Sequence, residues 1–387
     1  MFKIIKTYLS ISLISIIFGL YLFEFLLLNN FHKTLIYYEY FKITGKKYDK
    51  RNRTEVFYER KKTDPGVVIG MPPSLFNDNK NLIPLSGISN SHTIFCNENG
   101  YFSSYLSDRY GFNNPDEEWD KKNVDYILLG DSFVQGACVN RPYDIASNLR
   151  NKKYNVLNIG YATNGPLLQL ASLKEFMPDN VKNVLWFFYE GNDLNDLERE
   201  KKSNILTNYL YDRNFSQNIK DKQNEVDSLS RSKFLEIEKF NKELALKNNK
   251  LKYKLLKFIR LDKTKELLFK KDNLKNVDSG INKGEFDYIL FESILLEAKR
   301  VSKMNKSDFY FIYLPWFYRY ERGIEAYSYD KIKKIVMDNN INFIDINKLV
   351  FEKEKLPLEY FPFRKFGHYN KAGYLKVSNE IINKIIN

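Results

Sequence analysis

From residue 124 onward the chain alternates short, largely apolar runs with longer stretches of helical spacing. This rhythm constrains the fold more than any other feature. The runs cover 126–130, 155–159, 184–189, 309–314 and 341–344, and are rich in β-branched and aromatic residues. Strands buried on both faces read this way, because neither face can be polar. Between them, 141–151, 165–176, 287–304, 328–338 and 371–386 have the spacing of amphipathic helices. Strand and helix in alternation predict an α/β fold: a parallel sheet with helices on both sides. Residues 194–284 break the rhythm. They are rich in Lys, Glu, Asn and Leu, with Ile237, Phe240, Leu244, Leu251 and Leu255 at helical spacing, and read as a helical insertion whose charges form a solvated face.

The first thirty residues follow a different rule. Residues 8–28 are apolar or weakly polar except for Glu24, and about 20 such residues cross a bilayer. No small-x-small site follows, so an uncleaved anchor through residues 4–28 is expected rather than a removed signal. Lys3 and Lys6 favour a cytoplasmic N-terminus, against the pull of Lys33, Lys42, Lys46 and Lys47. The expectation is a single-pass membrane protein with its body outside the cytoplasm. Three regions result: an anchor (1–30), a stalk and irregular lead-in (31–120) and the α/β domain (121–387). Pieces such as "GVVIGM" and "HTIFC" in the lead-in suggest short strands.

The net charge of +13 would suit a polyanion partner. It is spread thinly over lysines with no basic stripe, so no nucleic-acid partner is expected. Two cysteines, Cys96 and Cys138, cannot build a disulfide scaffold or a zinc site by themselves. In an oxidising compartment they could pair; otherwise they are ordinary buried thiols. No metal and no cofactor is expected.

Chemistry gathers where the strands end, because ligands of open parallel sheets bind beyond the carboxyl ends of the strands. The first strand runs into "GDSF", putting Ser132 just past its end and ahead of a helix. A helix cap is the plain reading for Asp131 or Ser132. However, the second strand leads into "NIGYATNG", with Gly160 and Asn164, and the third into "EGND", with Asn192 and Asp193. "FGHYN" near the end carries His368, the only one of three histidines in the α/β region. A serine hydroxyl becomes a nucleophile when an imidazole takes its proton, and the resulting oxyanion needs donors fixed in advance. Ser132 and His368 are therefore the candidate catalytic pair. The N–H groups of Ser132 and Gly160 and the Asn192 amide are the candidate oxyanion hole, with Asp131, Asn164 and Asp193 in support.

These blocks, from about 124 to 386, resemble the SGNH/GDSL hydrolase superfamily. "GDSF" matches its serine block, "NIGYATNG" its glycine block, "EGND" its Gly-x-Asn-Asp block without the intervening residue, and "GHYN" its histidine block. The resemblance implies a flavodoxin-like three-layer α/β/α domain. It also implies cleavage or transfer of an acyl group through an acyl-serine. The expected substrate is an acylated, chiefly acetylated, cell-envelope carbohydrate or another ester; the oligomeric state is left open. The family places an aspartate three residues before the histidine, where this chain has Lys365. Asp345 is a fallback orienter that reads better as a strand-end residue. A dyad held by a backbone carbonyl, or a weakened protein that binds carbohydrate or acts as a scaffold, are the alternatives. Finally, "FIYLPWFYRYERG" (311–323) reads either as core and loop anchor or as a surface that stacks on sugar rings.

Overall fold

The computed structural model describes residues 2–28, 31–249, 251–268, 286–365 and 367–386. Part of the expected insertion, 269–284, lies outside the described residues, as do the side chains of Leu244 and Leu251. The described chain divides into two compact units, one built from residues 49–234 and the C-terminal part, the other from residues 1–48 and the segment beginning at Leu235.

The larger unit contains the expected parallel sheet. After three short strands, β1 (Val68–Ile69), β2 (His92–Ile94) and β3 (Ser104–Leu106), come β4 (Val124–Leu129), β5 (Val156–Asn158), β6 (Val181–Tyr189), β7 (Asp308–Leu314) and β8 (Asn342–Asp345). The last five are all parallel, in the order β5-β4-β6-β7-β8. This is the flavodoxin-like order, in which the chain reverses direction across the sheet after its first two strands and leaves a crevice at the carboxyl end of β4.

Alternation along the strands, with both faces covered, explains why the runs are so largely apolar. Ile127, Leu129, Val184, Trp186, Phe188, Phe311 and Tyr313 point into one cluster with helices Pro166–Phe176, Tyr288–Met304 and Tyr329–Asp338. Their strand neighbours Leu128, Leu185, Phe187, Ile312 and Leu314 are buried too. Helix Lys371–Ile386 packs against helix Ile145–Asn151.

The expected boundary at 120/121 does not separate compact units. Phe76, Leu82, Ile83, Leu85 and Phe112 belong to the same core cluster as the sheet. From Asp49 onward the lead-in is therefore part of the α/β unit, while Val56, Phe57, Val67, Ile69 and Ile94 form a smaller cluster of their own. Its three strands form a small sheet of their own, β1-β2-β3.

In the other unit, helix Phe2–Leu28 includes a 25-residue stretch, Ile4–Leu28, of mean hydropathy 2.4, long and apolar enough to cross a membrane. Glu24, its acidic exception, is buried and accepts bonds from the Lys263 N–H (3.0 Å), the Thr264 N–H (2.6 Å) and the Thr264 hydroxyl (2.8 Å). The insertion is helical where described, in Asp193–Glu200, Asn204–Tyr211, Gln223–Asn249 and Leu251–Ile259. Phe240 and Leu255, expected on an apolar face, are exposed.

Candidate active site

Strand β4 ends at Leu129, and Gly130 follows in a space that tolerates no side chain. A Cβ there would lie 2.4 Å from Val134 Cγ2 and 3.1 Å from Phe187 Cβ. Asp131 then caps the next turn, its Oδ1 accepting the Phe133 N–H at 2.9 Å. The serine does not open the long helix expected at 141–151. It begins a separate four-residue turn, Ser132–Gln135, closed by Gly136 at φ +86°. A single turn gives little macrodipole, so most of the activation must come from side chains.

Those side chains converge. Ser132 Oγ is 2.8 Å from His368 Nε2. On the far side of the ring, His368 Nδ1 is 3.0 Å from Glu98 Oε1, and the His368 backbone N–H donates to Glu98 Oε2 at 2.7 Å. With a carboxylate at Nδ1, the imidazole proton sits there, and Nε2 is left to accept from the serine hydroxyl. The Phe133 ring lies 4.7 Å from the imidazole and 4.4 Å from the Tyr189 ring, walling the ring on one side.

Glu98 was not anticipated from the sequence. Neither Lys365 nor Asp345 orients the ring. Asp345 accepts bonds from Tyr329 Oη (2.5 Å) and the Lys348 N–H (3.2 Å), capping the turn after β8. The orienting acid comes instead from the lead-in, 270 residues before the histidine. Gly367 makes room for it, since a Cβ there would stand 2.7 Å from Glu98 Oε2.

The electrostatics match that geometry. Burial disfavours the imidazolium, but the Glu98 carboxylate beside it, with Asp131 further off, raises the His368 pKa above its ordinary 6.5. Burial likewise works against the Glu98 carboxylate, yet the His368 charge and its two bonds hold that pKa below 4.5. Burial pushes Asp131 up, and pushes Asp193 far up with the charge of Asp131 adding to it.

The candidate oxyanion donors are not equally available. The Gly160 N–H already donates to Asn158 Oδ1 at 3.0 Å, and a Cβ there would lie 2.5 Å from Val134 Cγ1. A backbone N–H has one hydrogen, so Gly160 would have to share it with Asn158 to serve an oxyanion. The Asn192 amide donates to Asp196 Oδ2 at 2.6 Å. An amide carries two hydrogens, so one stays free. The Ser132 N–H has no partner among the described residues.

Asn164 and Asp193 serve the framework. Asn164 Nδ2 donates to the Leu85 carbonyl at 3.1 Å, and Asp193 Oδ2 accepts the Tyr189 N–H at 3.1 Å, folding the "EGND" turn back on β6. The aromatic stretch after β7 is core and anchor. Trp316 and Phe317 are buried, and Arg319 is held by buried Glu190 at 2.6 Å. The histidine of the small sheet, His92, pairs with Asp64 at 2.5 Å in an exposed position.

Cys96 and Cys138 are joined as a disulfide. Ligand atoms of Glu98, Cys138 and His368 lie within 4.8 Å of one another, but the sulfur is committed to Cys96, so the trio is not an open metal site.

No protein-family model and no curated protein matches the chain. Solved structures do. One is a lipolytic protein of the G-D-S-L family from Desulfitobacterium hafniense DCB-2: 13% identity, 67% of this chain and 99% of that one covered, TM-score 0.36. Another is the protein YxiM from Bacillus subtilis: 11% identity, 68% of this chain and 56% of that one covered, TM-score 0.36.

Proposed function

We propose that this protein is a serine esterase or O-acyltransferase of SGNH/GDSL type. In this reading it is tethered to a membrane by its N-terminal helix and works on the extracytoplasmic side, on acyl, chiefly acetyl, esters of envelope carbohydrate. The observation that carries the reaction class is the relay from Ser132 Oγ through the His368 imidazole to Glu98. A hydroxyl 2.8 Å from an imidazole nitrogen can pass it a proton, and the carboxylate at the other nitrogen stabilises the imidazolium that results.

The chemistry follows in balanced steps. Ser132 Oγ bonds to the ester carbonyl carbon as its proton moves to His368 Nε2. The carbonyl oxygen becomes an oxyanion and accepts from the Ser132 N–H and the second Asn192 hydrogen. Collapse breaks the bond to the alcohol, which leaves with the proton from His368, and acyl-Ser132 remains. Water or a sugar hydroxyl then repeats the sequence in reverse, giving up its proton to His368 as it takes the acyl group. Because the proton returns to Ser132, the protein is unchanged overall.

The membrane and compartment are supported by the apolar N-terminal helix and by the disulfide, which persists in oxidising surroundings. Lys365 had suggested a weakened site that only binds carbohydrate or acts as a scaffold. Glu98 supplies the orienting acid that this alternative assumed missing, and favours catalysis. The test is labelling by a fluorophosphonate, located by mass spectrometry, alongside hydrolysis of p-nitrophenyl acetate. Label on Ser132 with loss of turnover in Ser132→Ala is expected; unchanged turnover, or no label, overturns the reading.

A further inference from the structure

The acid that orients His368 sits two residues beyond Cys96, and the nucleophile six residues ahead of Cys138. The disulfide therefore closes a loop through the site: Ser132 to Cys138, across the sulfurs to Cys96, on to Glu98, and through His368 back to Ser132. Cys138 Sγ lies within 4.8 Å of the ligand atoms of both Glu98 and His368.

We propose that the Cys96–Cys138 bond is a positioning element of the catalytic relay, holding Glu98 against His368, so that the site is fully assembled only when the two cysteines are joined. This rests on the reading of Ser132, His368 and Glu98 as that relay.

Glu98 rides on the loop of a hairpin. The Phe95 N–H bonds the Ser103 carbonyl and the Ser103 N–H bonds the Cys96 carbonyl, each at 2.9 Å, and residues 97–102 form the connection. Inside that connection the Gly100 N–H donates to Asn97 Oδ1 at 3.0 Å. The Asp49 N–H bonds the Gly100 carbonyl at 2.9 Å, and Asn97 Nδ2 reaches the Asp49 carbonyl at 2.8 Å. All of these tie the loop to its own side. Towards the serine, the loop is tied by the disulfide, by Asn99 Nδ2 on the Cys138 carbonyl at 3.0 Å, and by the two Glu98–His368 bonds.

Glu98 cannot position itself. Its carboxylate is partly buried, and its bonds to His368 hold only while the loop stays close. Loops are the parts of a fold that open most easily. A shift of about 1 Å in a catalytic group is enough to cost roughly 10²-fold in rate. A covalent link one residue before Asn97 removes that freedom. Opening it takes two electrons and two protons, supplied by a dithiol that leaves as its own disulfide. The protein is then left with two thiols, the Asn99 bond, and the ties of the hairpin's second strand to the serine side, the Ser104 N–H on Asn140 Oδ1 at 2.9 Å and Gln135 Nε2 on Tyr105 Oη at 2.7 Å, which anchor the strand rather than the loop that carries Glu98.

The experiment compares the full chain in detergent in four forms: oxidised wild type, Cys96→Ala/Cys138→Ala, Glu98→Gln, and all three substitutions together. Two quantities are read, kcat on p-nitrophenyl acetate and the His368 pKa by NMR of labelled histidine. Removing the disulfide should lower kcat about tenfold or more with KM little changed, and drop the His368 pKa towards its value in Glu98→Gln. In the Glu98→Gln background the same removal should cost nothing further. An unchanged His368 pKa, or an equal loss of kcat with and without Glu98, overturns the proposal. Should the oxidised wild type neither turn over nor label, the functional reading fails, while the pKa still reports whether the disulfide positions Glu98.

Discussion

Glu98 and His368 are 270 residues apart in the chain and share two hydrogen bonds, one to the ring nitrogen and one to the backbone nitrogen of the histidine. The pair fixes both the tautomer and the tilt of the imidazole. Glu98→Gln keeps the shape but loses the charge, and can present its amide NH2 to Nδ1. That stabilises the wrong tautomer, so kcat should fall roughly 10²–10⁴-fold. Thermal stability should change little beside this, because the site is only partly buried. Lys365→Asp should restore nothing, since the position beside Nδ1 depends on the lead-in loop. Equal activity of Glu98→Gln and wild type in steady-state kinetics would remove Glu98 from the relay.

The two shifted groups set the pH profile. A general base must be neutral, and the Glu98 carboxylate raises the His368 pKa above 6.5, so the acid limb of kcat/KM should lie above that value. In Glu98→Gln the limb should move to lower pH. The stability effect has the same origin. A raised His368 contributes fully below 6.5 and fades as pH rises through the folded value. A lowered Glu98 contributes above 4.5 and fades as pH falls through its folded value. The pair therefore stabilises the fold most between those two ordinary values. Denaturant titrations across pH, with Glu98→Gln as reference, check this; a limb that stays put in the variant would contradict it.

Gly367→Ala tests the approach without touching a charge. The added Cβ would meet Glu98 Oε2 at 2.7 Å, and Gly367 is not in the left-handed region, so the effect is steric rather than conformational. Either Glu98 or the histidine must give way, and kcat should drop by about tenfold or more. Combined with Glu98→Gln, the two losses should fall well short of adding, because both act through one contact. Additive losses would place the damage elsewhere.

Why the serine and histidine were legible and the glutamate was not comes down to what each element leaves in the sequence. Ser132 follows an apolar run that reads as a buried strand, and His368 lies in a recognisable block just ahead of the last helix, so both could be named as candidates for one edge of the sheet. Glu98 lies in a loop of a three-stranded sheet whose strands are two or three residues long. No periodicity marks so short a strand, and one acid among many carries no signal. The usable hint was indirect: pairing Cys96 with Cys138 would have put residue 98 within a few residues of the serine turn. Gly160 is ambiguous for a related reason. A glycine at a strand end can be required by an oxyanion or by a neighbouring side chain, and here it is Val134 that excludes a Cβ.

That distinction separates two substitutions. Asn192→Ala removes a side-chain donor and should lower kcat roughly 10²–10³-fold, with a stability loss of about 1 kcal/mol from the bond that buried Asp196 loses. Gly160→Ala forces a methyl against Val134 and should cost stability, about 1–3 kcal/mol, because the surrounding core cannot yield freely. Differential scanning calorimetry beside kinetics tells them apart. A Gly160→Ala protein with normal stability and collapsed kcat would place Gly160 in the oxyanion hole.

In the other unit, the informative residue is the acid inside the apolar helix. Glu24 accepts from the Lys263 and Thr264 N–H groups and from the Thr264 hydroxyl, so it closes the start of a helical turn in the insertion. A buried carboxylate with three donors is satisfied, which is how so apolar a helix tolerates it. Glu24→Leu would suit a membrane better as a side chain but strand those donors, at a cost of about 1–3 kcal/mol. The expected result is faster proteolysis within 251–268 in detergent, with kcat on a soluble ester unchanged because none of the catalytic groups is in this unit. If the segment is cleaved no faster in the variant than in the wild type, Glu24 does not hold it.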